Sequence, residues 1–547
     1  MRTLQRAAAA LIYPAMLCLG VACERTEAPT NPRLPPRALL LSNDPTTRWV
    51  NDDDPNGGGY AAPGTSCSNP GYQHIQEAVA NAGQGDRINV CPGTYEEQVT
   101  IGAGKDNLQL RSTKQWAAVI KAPAVMMPDD GADVGKFTIV RISIAHNVTV
   151  LAFTITGPGP TPCGSLHYGV RVDNDGSANI LGNHITDIRD QETAGELSGC
   201  QNGMGVVVGG HFNDGVFSIG TARIEGNLVD HYQKNGVVVG GSGSNAVITA
   251  NRVFGFGPTA SLAQNGIEVL RDATAEVKHN FSSGHVYTGS MAASATGGLL
   301  VFAGSVDLNH NTVARNDVDV FTEFSSAPSS LTHNRTRAST FDGIVVDLAN
   351  NVTVGENLTE QNGGPGIGLY DGATANVLSG NQVEHNSNKF SNSTTCPGCF
   401  GGGILLDNAN NNTVSGNHVR NNGTANTPEN TDGIRVNLPS MGNSIQSNHL
   451  RSNVTHDCHD ATAPGDNTWV DNHGETSFPM GLCSDDPNDD FAVEAGWDPS
   501  FPWYSVYDGL ATDYDWPSLY SAIDAQIQDL LDLLPQLGVG GVRRSSP

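Results

Sequence analysis

A chain of 547 residues with 64 glycines, 6% aromatic residues and a formal net charge of −27 is long enough for several ordinary domains. The charge excludes a nucleic-acid partner, because a phosphate backbone calls for a basic footprint. It suits an exported protein, and clustered acids are able to recruit divalent cations.

Arg2 and Arg6 precede the apolar run AAAALIYPAMLCLGVAC. The run is too short for a membrane span and ends in small residues, so residues 1–23 read as an export signal. It resembles a bacterial lipoprotein signal in which Cys23 becomes the lipidated N-terminus. Gly20 stands at −3 where leucine is usual, with Leu19 one place earlier. Ordinary cleavage nearby is the alternative. A lipid anchor is the only membrane contact expected. The polar, proline-rich residues 24–45 form a flexible linker.

In WVNDDDPNGGGY, Asp52, Asp54 and Asn56 alternate before Gly57. This is the first half of a calcium loop, but no glutamate closes it; a solvated turn is the plain alternative. Ca²⁺ is the single cofactor the sequence suggests.

A repeat follows, marked by asparagine. It recurs as Asn183, Asn227, Asn251, Asn280, Asn311, Asn334, Asn357, Asn381, Asn417 and Asn448. Four of the gaps between successive asparagines are 23 or 24 residues, and the others are longer. A minimum period with only positive excursions implies a fixed coil with loop insertions. Each period holds three short strand signals: a Gly-Ile-x-Val type, a second such as NTVSG, and a third such as HV after the asparagine. Three faces per coil, stacked at roughly 4.8 Å, make parallel sheets around one apolar core. The asparagine is expected to take the left-handed bend between strands and to ladder with its counterparts. A sandwich or propeller fits the period less well. The expected architecture is therefore all-β: a parallel β-helix over 46–483.

Residues 484–547 are acidic and aromatic. They end in WPSLYSAIDAQIQDLLDLLPQLG, whose apolar spacing predicts a capping amphipathic helix. Of 10 cysteines, Cys18 and Cys23 fall in the signal, leaving eight in an exported chain. Sequence proximity suggests disulfides Cys67–Cys91, Cys163–Cys200, Cys396–Cys399 and Cys458–Cys483, although connectivity does not follow from sequence. HDCHD at 456–460 suggests a metal, but pairing of Cys458 with Cys483 leaves His456 and His459 as two ordinary surface histidines.

The stretch YQHIQEAVANAGQGDRINVCPGTYEEQVTI and the repeat over roughly 70–475 resemble the right-handed parallel β-helix proteins of the pectin-lyase-like superfamily, with PbH1-type repeats. The resemblance implies a right-handed parallel β-helix over 46–483 with short capping helices at both ends, an amphipathic one at about 73–82 covering the first coil, and a polysaccharide groove along the first sheet. It is specific for fold and poor for chemistry.

The residues expected to face outward from that sheet give the candidate site. Asp319, Asp347 and Asp407 are the candidate catalytic acids, with Asp319 and Asp347 on adjacent coils about 5 Å apart. Arg171, Glu268 and Arg435 are candidate substrate contacts, and Tyr370 a stacking platform. Stacked carboxylates with Glu268 or Asp407 are the alternative calcium site. Three readings stay open: a lyase, hydrolase or epimerase acting on polysaccharide; a non-catalytic adhesin; and a structural spacer. The protein is expected to act as a monomer.

Overall fold

The computed structural model describes residues 45–53, 60–129, 135–192, 197–210, 218–289, 296–388, 401–424 and 431–485. The expectations for Cys23, Asp54, Asn56, Cys396, Cys399, the linker and the C-terminal helix lie outside these residues.

The chain winds as a parallel β-helix. Three parallel sheets run its length and together enclose one continuous apolar core. Among the described residues, the first sheet has 14 strands, from Val99–Ile101 to Ser477–Phe478. The second has 15, from Thr47–Val50 to Thr468–Val470, and the third 13, from Gly93–Glu96 to His449–Arg451.

Alternation within each strand fixes what is inside. In the coil that begins at Ile344, the inward residues Ile344, Val346, Val352 and Val354 are almost wholly buried. Burying each such side chain is worth about 1.5–3 kcal/mol. The core is thus a set of aliphatic stacks, one per sheet position, each extended by every new coil.

The helix Ile75–Asn81 covers the first coil with Ile75, Ala78 and Val79 buried. Its first amides would be orphaned at this buried end. Glu97 takes both: its two carboxylate oxygens accept the Ile75 and Gln76 N–H groups, each at 2.8 Å. Disulfides join Cys67–Cys91, Cys163–Cys200 and Cys458–Cys483, as sequence proximity suggested.

The asparagine ladder forms, with a correction to its backbone. From Asn183 to Asn472 each side-chain N–H donates to the next Oδ1, at 2.9–3.1 Å. The left-handed residue, however, is the one before it: Gly182, Ala250, His310 or Glu356. The asparagine itself is buried and is not left-handed, and its amide reaches a carbonyl of the preceding coil. Two further ladders stand at the other corners. One runs Asn376–Asn412–Asn443–Asn467, the other Asn362–Asn386–Asn422–Asn453 and on to Asp457. In NTVSGNHVRNN, Asn412, Asn417 and Asn422 serve one corner each.

A buried histidine makes the core acid-sensitive. His285 Nδ1 donates to Asn316 Oδ1 at 2.7 Å, and its Nε2 accepts the Tyr232 hydroxyl. Burial pushes its pKa down to about 4. The unfolded value is about 6.5. The folded pKa is thus the depressed one, so the unfolded state takes up the proton first. The contribution is complete above about pH 6.5 and is lost as pH falls toward 4. His285→Gln is expected to flatten the pH dependence of the urea midpoint by about one proton across that window. An unchanged slope would show that His285 is not held neutral.

Candidate functional site: a carboxylate and tyrosine face on the first sheet

The first sheet turns three columns of side chains outward. Strand pairing gives their membership. Phe321 sits beside Val345, which sits beside Gly368, and Glu323 sits beside Asp347, which sits beside Tyr370 and then Asp407. Asp342 begins the third column, two residues before Ile344.

The middle column is apolar here: Leu300, Phe321 and Val345 form a buried outer cluster, with Tyr370 packed on it. At Gly368 the column is empty of side chain, and a Cβ there would collide with the Tyr370 ring. The ring therefore lies across the strand, and its hydroxyl donates to Asp342 Oδ2 at 2.5 Å. One tyrosine thus links the two polar columns over an apolar floor.

The acids beside it are perturbed. Burial, reinforced by the Asp347 charge, pushes Glu323 up to about 7. Burial, then the Asp371 charge, pushes Asp347 up to about 6. Burial takes Asp342 up to about 7, offset in part by the Tyr370 hydrogen bond. Asp347 Oδ1 is buried and has no hydrogen-bond partner among the described residues. Two like charges on adjacent coils, with backbones about 4.8 Å apart, cannot both ionise freely near neutrality. Between about pH 6 and 7 such a pair holds one proton, which suits it to donate and accept protons at a bound substrate.

The remaining expected residues fall in different places. Asp319 is not on this face. It occupies the inward position that glycine holds in neighbouring coils, opposite Gly343, and is fully buried. Its carboxylate accepts Asn316 Nδ2 at 2.9 Å and Arg337 N–H at 2.8 Å, bonds that serve the turn. The neighbour of Asp347 is Glu323, so the expected Asp319–Asp347 pair is replaced by Glu323–Asp347.

Arg171 is in an outward column but wholly buried, paired with Asp173 at 3.3 Å and stacked on Tyr168. Glu268 is likewise buried, takes a hydrogen bond from Asn235 Nδ2, and has Val238 and Leu300 as its stacked neighbours. Neither meets substrate from the solvent side. Glu268 also stands far from Asp407, and Tyr370 separates Asp407 from Asp347, so the stacked-carboxylate calcium site is not assembled. Asp52, of the N-terminal calcium expectation, accepts the Thr94 N–H at 2.7 Å.

Arg435 does lie on the outward face, bonded to Asp432 at 2.7 Å and to Asn437 at 2.7 Å. Its surroundings correct another expectation. His456 and His459 are not free surface residues: their Nδ1 atoms lie 3.0 and 3.1 Å from the two oxygens of the buried Asp432.

The fold is a right-handed parallel β-helix whose first sheet carries carboxylates and a tyrosine on its outer face. Residues 214–395 match the family described as the right handed beta helix region. No curated protein matches the sequence. Similar solved structures include DFA-IIIase from Arthrobacter chlorophenolicus A6 without its lid, at 16% identity over 78% of this chain and 94% of that one, with a TM-score of 0.38. A variant of the periplasmic alginate epimerase AlgG is 13% identical over 74% and 84%, with a TM-score of 0.37. Pectate lyase Pel9A is 12% identical over 68% and 79%, with a TM-score of 0.36. Likeness at this level says nothing of chemistry.

Proposed function

We propose that the protein is an exported carbohydrate-active enzyme that cleaves a neutral polysaccharide along its first sheet. One observation carries the reading: Glu323 and Asp347 stand in register on adjacent coils, both with raised pKa values, beside a tyrosine that lies flat across the strand. Glu323, the weaker acid, donates a proton to the departing sugar oxygen. Asp347 acts as the nucleophile, and the Tyr370 ring offers a stacking surface. Retaining glycosidases hold their carboxyls about 5–5.5 Å apart and inverting ones 6.5–9.5 Å. A coil spacing near 4.8 Å favours retention of configuration. A chain of net charge −27 with an acidic outer face disfavours a polyanionic substrate. Three disulfides support export, since they persist in oxidising compartments.

The test is a panel of neutral and acidic polysaccharides, with reducing ends and unsaturated products read together. Reducing ends from a neutral glycan, without unsaturated products, are expected. Unsaturated products would replace hydrolysis by elimination. Tight glycan binding with no product would make the protein a non-catalytic surface binder.

A further inference from the structure

A second polar cluster occupies the first sheet three coils beyond Asp347. Strand pairing sets Ile434 beside Cys458 and Arg435 beside His459. Asp432 and His456 then meet in the neighbouring outward column. The Asp432 carboxylate is fully buried, with His456 Nδ1 at 3.0 Å from Oδ1 and His459 Nδ1 at 3.1 Å from Oδ2. The three donor atoms all lie within 4.8 Å of one another.

The cluster is held rigidly. Between the two histidines, Cys458 turns into the core and is bonded to Cys483, which pins the strand. The Phe478 ring packs against both imidazoles, at 5.8 and 5.4 Å between centroids, and their Nδ1 edges face Asp432. The rings stand edge to face at 5.3 Å, so their nitrogens converge instead of lying in parallel stacked planes. That separates them from the stacked pairs His310–His333 and His418–His449, whose ring planes lie within 3° and 10° of parallel.

We propose that Asp432, His456 and His459 bind a transition-metal dication of the zinc class. Two imidazole nitrogens and one carboxylate oxygen form a donor set that suits zinc and its first-row neighbours. Calcium takes oxygen ligands and is disfavoured. Donors held about 2.1 Å from such an ion sit roughly 3.0–3.4 Å from one another; each imidazole already lies 3.0–3.1 Å from its own Asp432 oxygen, and the three donors fall within 4.8 Å. Three protein ligands leave a coordination position open, the arrangement of a reactive or ligand-binding ion and not of a closed structural one. Arg435 is the opposing feature: its Nη1 lies 2.7 Å from Asp432 Oδ2 and 3.2 Å from His459 Nδ1. It can hold one carboxylate oxygen while the other meets the ion, as groups behind a ligand commonly do. The site is independent of the Glu323–Asp347 reading.

The test uses the full exported chain, stripped with chelator and titrated with Co²⁺ as a coloured stand-in for Zn²⁺. One ion per chain, with visible d–d absorption, is expected. His456→Gln and His459→Gln should each weaken binding by at least about 100-fold, with far-UV circular dichroism and metal-free Tm unchanged. The more exposed His456 serves if His459→Gln does not fold. Absence of a stoichiometric ion, or binding retained in the double variant, would overturn the site. The three residues would then be a structural Asp–His hydrogen-bond cluster.

Discussion

Glu323→Gln is expected to lower the rate of glycan cleavage by roughly 10²–10⁴-fold, the range that a positioned acid contributes, while leaving the fold intact. The amide keeps the shape of the side chain and cannot give up a proton. Asp347→Asn should be at least as damaging, because it removes the nucleophile itself. The pH profile follows from the same pair. Cleavage needs Glu323 protonated, which holds below about 7, and Asp347 ionised, which holds above about 6. Activity should therefore peak between those values and fall on both sides, and Glu323→Gln should abolish the alkaline limb.

Stability should move the opposite way. A carboxyl whose folded pKa is raised binds its proton more tightly when folded, so it costs stability as pH rises from about 4.5 toward 7. At pH 8 the Glu323→Gln protein should melt slightly higher than the parent, by about 1–3 °C for a chain of this size. At pH 4 the two should coincide. A variant that loses activity together with several degrees of Tm would assign Glu323 to structure. A variant with full activity would remove it from the site.

The fold was legible because its signal repeats. A period of 23 or 24 residues between asparagines survives insertions, since extra residues fall between strands and leave the coil unchanged. The site was less legible, and Asp319 shows why. The outward position was read as the third residue of a Gly-Ile-x-Val pattern, which works for Glu268. In VDVFTE Asp319 stands where neighbouring coils have glycine. It shares strand parity with the outward Phe321 and Glu323, so alternation put it outside, yet at this bend its carboxylate turns into the corner. Carrying the alternation forward from Phe321 would have exposed Glu323 beside Asp347. Asp342 and Asp432 were missed for a related reason. Each precedes the glycine, where the backbone bends and simple alternation fails. His456 and His459 were dismissed with Cys458 because the disulfide took the cysteine, although strand alternation turns His459 away from it; His456 stands before the strand, where simple alternation fails in the same way as at Asp432.

Asn334→Ala is expected to destabilise the protein by about 3–5 kcal/mol. Four hydrogen bonds vanish with the side chain. Asn311 loses the acceptor of its backbone N–H, at 3.0 Å, and of its amide, at 3.0 Å. The Leu308 carbonyl loses a donor at 2.9 Å, and Asn357 Oδ1 loses one at 3.1 Å. Each buried bond is worth about 1 kcal/mol net, and a buried donor left unpaired costs a further 1–3 kcal/mol. Asn334→Asp separates the ladder from mere side-chain volume. An aspartate keeps the shape and can still accept both Asn311 N–H groups, but it cannot donate to Leu308 or Asn357 when ionised. Its charge would be buried with no cation beside it, so its folded pKa should rise. The stability gap to the parent should then be widest near neutral pH and narrow as pH falls through that raised value, where the protonated acid regains one donor. Urea unfolding at pH 7 and pH 5 measures both effects. A cost below about 1 kcal/mol for Asn334→Ala would mean that water or a shifted backbone replaces the ladder, and that the aliphatic stacks alone hold the coils in register.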